Sequence, residues 1–484
     1  MVNFMRPAAE EVSISRRYAP QIIATIIKNS VLFTYGVSIG MPTILIPNLS
    51  GKNSGESIVL DENGITWIAS LNYLCVPLGC ILSGSLSHRL GRKKCLIIFS
   101  IPFFIAFLLI HFANKPWFIF LALVLTGTCG GLTESPALSY ASEISEPSLR
   151  GAIASTSTMF ISLGVLLSFT LGTFLPWRTV SLINAIIPLI SIFTLMLLPE
   201  TPFWLLNRNR VEDAQKSLAW FRGWTTLDRV EKEFKEILDN MEKSSVNKGC
   251  NHRYYLEGRF IRPFFLILFA FTVCNFGVTP IAAYAVLIFN SLNVPISAYY
   301  ATMITGCVNL LGVFLCTFFL RILGKRLLSF ISLIGIFFCF FTVGVYCYLN
   351  NILHYIETTA TSDTLTWVPL VSIVGVGFFN YLMINSLPWV LMGEIYYNEV
   401  RDAGTGLSAA VGYFVGFLAN KTFLNLVDTL TMPGMFWFYS GVAAMGLLVF
   451  YFVLPETEGK TMAEIAQHYN GGEKLDNKVR RAKS

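Results

Sequence analysis

Long apolar stretches recur along the 484-residue chain, each bounded by short polar or charged segments. A hydrocarbon core about 30 Å thick needs about 20 apolar helical residues per crossing. About twelve stretches meet that length: Gln21 to Ile46, Ile65 to Leu86, Cys95 to Ala113, Trp117 to Ser142, Gly151 to Leu175 and Trp177 to Leu198, then Ile261 to Asn290, Ser297 to Leu320, Leu327 to Leu349, Trp367 to Met392, Gly404 to Val427 and Pro433 to Leu454. The runs are continuous rather than alternating with period two, which excludes an outer-membrane barrel. No charged segment leading into a short apolar run and a small-residue cleavage site precedes the first stretch, so it is expected to stay in the protein. The pattern predicts an all-α membrane protein with twelve transmembrane helices in two six-helix halves. Residues 1–20 form an N-terminal segment, 21–198 the first half, 199–260 a polar linker, 261–454 the second half and 455–484 a tail.

Composition supports this reading. The chain is 54% apolar or aromatic and only 13% charged, about half the charge of an average soluble protein, too little to cover water-soluble domains. The net charge of +6 reflects topology rather than nucleic-acid binding. Of the 35 Lys and Arg, only Lys52, Lys115 and Arg178 fall on one side, and Lys28 and Lys421 lie within spans. The remaining 30 share the side of the termini. By the positive-inside rule both termini are cytosolic, as expected of a multi-pass plasma-membrane protein embedded in the lipid bilayer. Eight of the ten Cys lie within spans, Cys95 at a span edge and Cys250 in the linker, leaving none outside to form a disulfide. Asn48-Leu49-Ser50 is a glycosylation sequon near the first outer loop, whereas Asn420-Lys421-Thr422 falls inside a span. In the linker, Ala214, Leu218 and Phe221 share one helical face, and Val230, Phe234, Ile237 and Leu238 share another. Short amphipathic helices packed on the cytosolic ends of the spans are expected there.

The halves repeat each other. After the second span stands Gly84-Ser85-Leu86-Ser87-His88-Arg89-Leu90-Gly91-Arg92-Lys93-Lys94, and after the eighth Leu320-Arg321-Ile322-Leu323-Gly324-Lys325-Arg326. After the fourth comes Glu143 with Arg150 seven residues on, and after the tenth Glu394 with Arg401 seven residues on. Pro199-Glu200-Thr201-Pro202 follows the sixth span and Pro455-Glu456-Thr457-Glu458-Gly459-Lys460 the twelfth. With these paired motifs the chain resembles the sugar-porter family of the major facilitator superfamily along essentially its whole length. Trp67-Ile68-Ala69-Ser70-Leu71, Phe221-Arg222-Gly223 and Tyr284-Ala285-Val286 are similar to insect facilitated trehalose transporters. The resemblance implies a major facilitator fold and a carrier of a sugar or polyol that works by alternating access, without cofactor or metal and as a monomer.

Acids and bases confined to the cytosolic ends could pair between the halves when that side is shut and part when it opens. Arg89, Arg92, Glu143, Arg150, Glu200, Glu394, Arg401 and Glu456 are the candidate gating charges. Gly84 and Gly91 are expected to permit close backbone approach at the turn between spans two and three. Departures from the family occur at His88, where the family has Asp, and at Arg321 and Ile322 in the second copy.

Sugars demand amides and other polar side chains at the midplane together with an aromatic face. Against the family's glutamines and asparagine of span seven this chain has Val273, Cys274 and Thr279, and against the span-five glutamine it has Thr158. Span ten reads Asn385-Ser386-Leu387-Pro388-Trp389, and Gly412-Tyr413 replaces an Asn-Trp pair. Asn309, Pro388 and Trp389 match. The candidate substrate-binding residues are Thr158, Asn275, Thr279, Tyr284, Asn309, Asn385, Trp389 and Tyr413, with Asn380 and Tyr381 as further sources of polarity.

Proton-driven members carry an aspartate in span one, where this chain reads Thr34-Tyr35-Gly36-Val37, so facilitated diffusion is the expectation. Lys28 and Glu134 stand inside spans and either pair in the bundle interior or, for Lys28, reach toward the cytosolic face. The five His are scattered, Glu458-Gly459-Lys460-Thr461 lacks the first glycine of a phosphate loop, and no nucleophile elbow is present, which argues against an enzyme. Two other readings stay open: a carrier of a less polar organic solute, and a transport-deficient nutrient sensor. Trp389 and Asn309 lining one cavity supports a carrier; a cavity plugged by Val273 and Phe276 supports the sensor.

Overall fold

The structure is a computed structural model that describes residues 14–50, 58–245, 258–354, 365–396, 401–460, 462–469 and 475. The first half comprises α1 (Ile14–Leu49), α2 (Glu62–Leu90), α3 (Arg92–His111), α4 (Pro116–Ile144), α5 (Pro147–Phe174) and α6 (Trp177–Met196). Three short helices follow: α7 (Pro202–Asn207), α8 (Val211–Phe221) and α9 (Leu227–Ser245). The second half comprises α10 (Gly258–Ala283), α11 (Ala285–Ser291), α12 (Ala298–Leu349), α13 (Trp367–Phe379), a π-helical turn (Asn380–Ile384), α14 (Leu387–Ile395) and α15 (Arg401–Val453), and α16 (Met462–Tyr469) lies in the tail. Cys250 and the basic tail residues Arg480, Arg481 and Lys483 lie outside the described residues.

Twelve crossings follow from eleven apolar stretches, because the last of these, Gly404–Val453, runs for 50 residues, about 75 Å of helix and more than twice the hydrocarbon thickness. Thr431, at φ 64° and just before Pro433, breaks it in two. Gly324, at φ 77°, likewise divides the 52-residue α12. Side chains such as Ile81, Phe193, Phe314, Phe338 and Phe452 stand more than half exposed around the outside, a surface suited to lipid rather than water.

Two predicted spans are not continuous helices. Span seven opens at Phe276 and Gly277, where φ reaches 122° at the glycine, a backbone state that a side chain resists. It ends at Ala283, and α11 takes its place after Tyr284. Span ten loosens into the π turn at Asn380–Ile384. Hydropathy does not register such breaks, since a span-length average absorbs single residues such as Gly277 and Asn380.

Within the first half α2 packs along α4, and α1 along α5; within the second, α10 packs along α15 and α12 along α13. The halves meet where α2 runs along α15 and α5 along α12. The linker helices form a small core of their own, in which Ala214, Leu218, Val230 and Phe234 gather with Trp204, Leu205 and Leu206. Trp204 Nε1 donates to the His88 carbonyl at 3.0 Å and Arg222 Nη1 to the Ile144 carbonyl at 3.0 Å, which ties that core to the ends of α2 and α4.

Candidate functional site

The paired motifs form two similar clusters at one end of the bundle, the end that also carries the linker. In the first half Arg92 Nη2 meets Glu143 Oε1 at 2.9 Å, and Thr201 Oγ1 donates to the other Glu143 oxygen. The Glu200 carboxylate accepts from the Lys93 N–H at 3.0 and 3.2 Å. Helix α3 would otherwise leave its first N–H groups without acceptors, and a carboxylate there also meets the positive end of the helix dipole. Gly91 makes this possible: it turns at φ 103°, and a Cβ on it would sit 2.4 Å from Glu200 Oε2. In the second half Lys325 Nζ contacts Glu394 at 2.6 Å, Glu458 at 3.0 Å and Thr457 Oγ1 at 3.0 Å. Glu456 accepts from the N–H groups of Lys325 (3.2 Å) and Arg326 (3.0 Å), as Glu200 does from Lys93.

The described pairs each lie within one half; the pairing across the halves expected from the sequence belongs to the state in which this end is shut, whereas here the halves are clasped at the opposite end. They fix helix ends and loops within one half: Glu200 and Glu456 cap helix starts, and Glu143 and Glu394 hold Arg92 and Lys325. Arg89 and His88 are exposed, and the Arg89 carbonyl accepts from Arg208 Nη2. Gly84 faces open space, so it does not serve close approach, whereas Gly91 does. The side chains of Arg150 and Arg401 lie outside the described residues. Sequence reasoning missed Lys325, although it follows Gly324 as Arg92 follows Gly91. It also missed Glu146, which accepts from Arg17 (2.8 Å) and Gln21 (3.1 Å) and lies 3.6 Å from Arg222.

Hydrogen bonds between the halves gather at the opposite end. Lys421 Nζ, on α15, reaches Asn63 Oδ1 and Thr66 Oγ1 of α2 at 2.8 Å each and lies 4.2 Å over the Trp67 ring. Thr43 Oγ1 donates to the Ala282 carbonyl at 2.8 Å and Thr173 Oγ1 to the Tyr299 carbonyl at 3.2 Å. A void of about 20 Å³ among Ile39, Pro42, Asn72, Tyr73, Thr279 and Ala283 remains beneath them, room for little more than one water. The predicted sequon residue Asn48 lies at this end too, in the last turn of α1, where Nδ2 donates to the Ile44 carbonyl.

Between the two ends the predicted substrate residues divide. Asn385, Trp389 and Tyr413 are partly exposed in the interior. Trp389 meets Tyr413 at 5.8 Å between ring centroids and Phe271 edge-on at 5.3 Å, and Tyr413 continues the aromatic row to Tyr73 at 6.4 Å. Cys274 Sγ contacts Asn385 Oδ1 at 3.7 Å. Thr279 lines the small void and donates to Asn275 Oδ1. Asn275 itself is buried, with Nδ2 on the carbonyls of Phe271 and Gly412, and so joins α10 to α15. Tyr284 is buried against α15, stacked on Phe423 at 4.6 Å with its hydroxyl on the Asn420 carbonyl. Asn309 is buried, its Oδ1 lying where Gly377 allows no Cβ. Thr158 is partly exposed on α5. Thus Trp389 reaches open space and Asn309 does not, while Val273 packs against Gly446 of α15 rather than plugging the interior. Asn380 is buried and Tyr381 partly exposed.

Lys28 and Glu134 do not pair. Lys28 is fully buried and donates to Ser157 Oγ at 3.0 Å, which also rules out its reaching to the surface. Glu134 is partly exposed and takes only the Cys80 thiol, at 3.1 Å. Their helices place them on different neighbours, Lys28 on α5 and Glu134 on α2.

Known proteins agree with this architecture. The family described as "Sugar (and other) transporter" matches residues 23–469. A facilitated trehalose transporter of Bombyx mori is 30% identical over 419 residues, 86% of this chain and 81% of its own, and one of Culex quinquefasciatus is 27% identical over 485 residues, 100% and 90%. A partially occluded inward-open structure of the xylose transporter XylE from E. coli superposes with a TM-score of 0.72 at 20% identity, covering 92% of this chain and all of that one. Paired helix-capping acids at one end, a clasp at the other and a full-length match together establish that the chain belongs to the sugar transporter family of major facilitator carriers.

Proposed function

We propose that the protein carries a sugar such as trehalose or a hexose across the plasma membrane by facilitated diffusion, with both termini in the cytosol. The observation that carries this reading is the interior between the clasped end and the charged end, where Asn385, Trp389 and Tyr413 present a polar group beside aromatic faces. Sugars offer hydroxyls on the edge and C–H groups on the face, which such a surface suits. The clasp at Lys421 and the small void beneath it fit one state of an alternating-access cycle. The relatives named above are facilitated trehalose transporters, and span one offers no acid for proton coupling. Asn385, Trp389, Tyr413 and Thr158 contact the solute in this reading. Asn275, Tyr284 and Asn309 hold the helices that present them, and the motif charges brace each half during rocking. A glycan on Asn48 would face the outer medium.

The second reading, a less polar solute, draws on Val273 and Cys274 standing where sugar-binding amides are expected. Uptake of labelled trehalose and of labelled glucose by the purified chain in liposomes decides between them. Saturable, bidirectional uptake of either sugar supports the proposal, and uptake at the level of empty liposomes contradicts it.

A further inference from the structure

The two halves place a polar side chain at matching depth on matching helices. Glu134 stands nine residues before the motif acid Glu143, and Asn385 stands nine before its counterpart Glu394. Nine residues of helix span about 13.5 Å, close to half of the roughly 30 Å hydrocarbon core, so both lie near mid-membrane. Each begins a stripe that grows more exposed toward the charged end. On α4 it runs Glu134, Leu138 (47% exposed) and Ser142; on the second half it runs Asn385, Trp389 and Gly393, where an added Cβ would meet nothing within 4 Å. Each also takes a cysteine thiol as its protein partner, Cys80 on Glu134 and Cys274 on Asn385.

Among the described residues no cation pairs with the Glu134 carboxylate. Keeping a charged group inside a membrane without a counter-ion is costly, and one thiol is a weak donor that leaves most of its acceptor positions open. The Tyr35 side chain, 4% exposed, sets its hydroxyl beside that of Tyr413 from the other half. Tyr35 and Tyr413 both feel the Glu134 charge, and Tyr413 belongs to the aromatic row of Tyr73 and Trp389. Open acceptors, a pair of tyrosine hydroxyls and flat ring faces thus converge from both halves on one place.

Building on the sugar-carrier reading, we propose that Glu134 is a principal sugar ligand: its two oxygens accept hydrogen bonds from neighbouring hydroxyls of the sugar, and Asn385 holds another hydroxyl from the opposite half. A carboxylate accepts two parallel bonds, and charge-assisted bonds are stronger than neutral ones. The first half therefore supplies through Glu134 much of the polarity that the second half lacks at Val273 and Cys274. Because the two ligands come from different halves, the bound sugar links the bodies that rock against each other.

The test uses the full chain in liposomes, labelled trehalose and glucose, and deoxy analogues of whichever sugar is carried. Glu134→Ala is expected to raise KM about tenfold to a hundredfold, the range for a hydrogen bond to a charged group. Removing one particular sugar hydroxyl should cost the wild type a similar factor and cost Glu134→Ala almost nothing, since the two changes break the same contact. Asn385→Ala should show the same coupling with a different hydroxyl. Glu134→Gln keeps the shape and one acceptor, so it folds where alanine does not and should show a smaller rise in KM with a shifted deoxy-sugar preference. Unchanged KM in either Glu134 variant, or losses that simply multiply for every analogue, overturns the inference while leaving sugar carriage standing. No sugar uptake by the wild type overturns the carrier reading and this inference with it.

Discussion

At the charged end the two halves solve one problem in the same way, and in the interior they part. Each half sets a carboxylate over the start of a helix that begins with a positive-φ glycine, Glu200 over α3 after Gly91 and Glu456 over the second segment of α12 after Gly324. Each sets a cation against the acid that closes the neighbouring helix, Arg92 on Glu143 and Lys325 on Glu394. In the interior, α1 and α4 of the first half run as helices without a described break, while the second half opens at Phe276–Gly277 and slackens into a π turn before Asn385. Breaks of this kind free backbone groups and let a helix bend locally. The difference teaches that the repeated charges, as described, tie helix ends together within each half, and that the helix breaks near the interior polar residues lie in the second half.

The largest test of that contrast lies in the braces. The Lys325 side chain is 2% exposed and touches Glu394 and Glu458, which are 31% and 26% exposed, so Lys325→Met leaves two acids facing one another without their shared cation. It should lower stability by about 3 kcal/mol, the upper end for hydrogen bonds to a charged group. Arg92→Met leaves a single acid, Glu143, still bonded to Thr201, and should cost about 1.5 kcal/mol, the lower end of the same range. Thermal unfolding of the two variants in detergent compares them, and equal losses would show that the clusters are equivalent after all.

Next come the interior stripes. Trp389→Ala removes a ring from the solute path and should raise KM about tenfold or more, from about 1.5–3 kcal/mol of lost apolar contact. Its register mate Leu138, already 47% exposed, should tolerate alanine with an effect below about 0.5 kcal/mol. Uptake kinetics of both variants read this directly, and similar KM values would remove the asymmetry.

Gly277→Ala strains a backbone at φ 122° and should destabilise the bent form by about 1–3 kcal/mol. The expected signature is slower uptake at unchanged KM, since the bend belongs to the moving part. A fall in affinity alone would place the break in the binding site instead.

The smallest effect is expected at the clasp. Lys421 gains a cation–π contact with Trp67 and two hydrogen bonds to α2, worth about 0.5–1 kcal/mol at a partly exposed site. Lys421→Ala should favour opening of the clasped end and slow thiol labelling of a Gly393→Cys probe at the charged end about two- to fivefold. Faster labelling would mean that the clasp favours the other state.

Much of this fold was legible in the sequence. Apolar run lengths marked the crossings, and the motif pairs marked the repeat, because both follow from membrane thickness and helix capping. The site was less so. Asn275 and Tyr284 read from the sequence as candidate sugar ligands, yet each is engaged in packing α10 or its end against α15, a use that depends on which way a helix faces. Spacing alone could have revealed Lys325 and Glu134, through Gly324 and through the nine-residue interval to Glu143. Hydropathy could not have revealed the Gly277 bend or the π turn, since averaging over a span hides single residues such as Gly277 and Asn380 and says nothing of backbone geometry. The motif charges were foreseen as residues, but their partners within each half were not, since a sequence records charge and not the neighbour it meets.

Rocking of the halves is tested most directly by tethering them at the clasp. With Asn63→Cys and Lys421→Cys joined by a short cleavable thiol crosslinker, sugar uptake into liposomes is predicted to fall to background and to return once the tether is cleaved. Uptake by the tethered protein at the untethered rate would contradict alternating access between these halves.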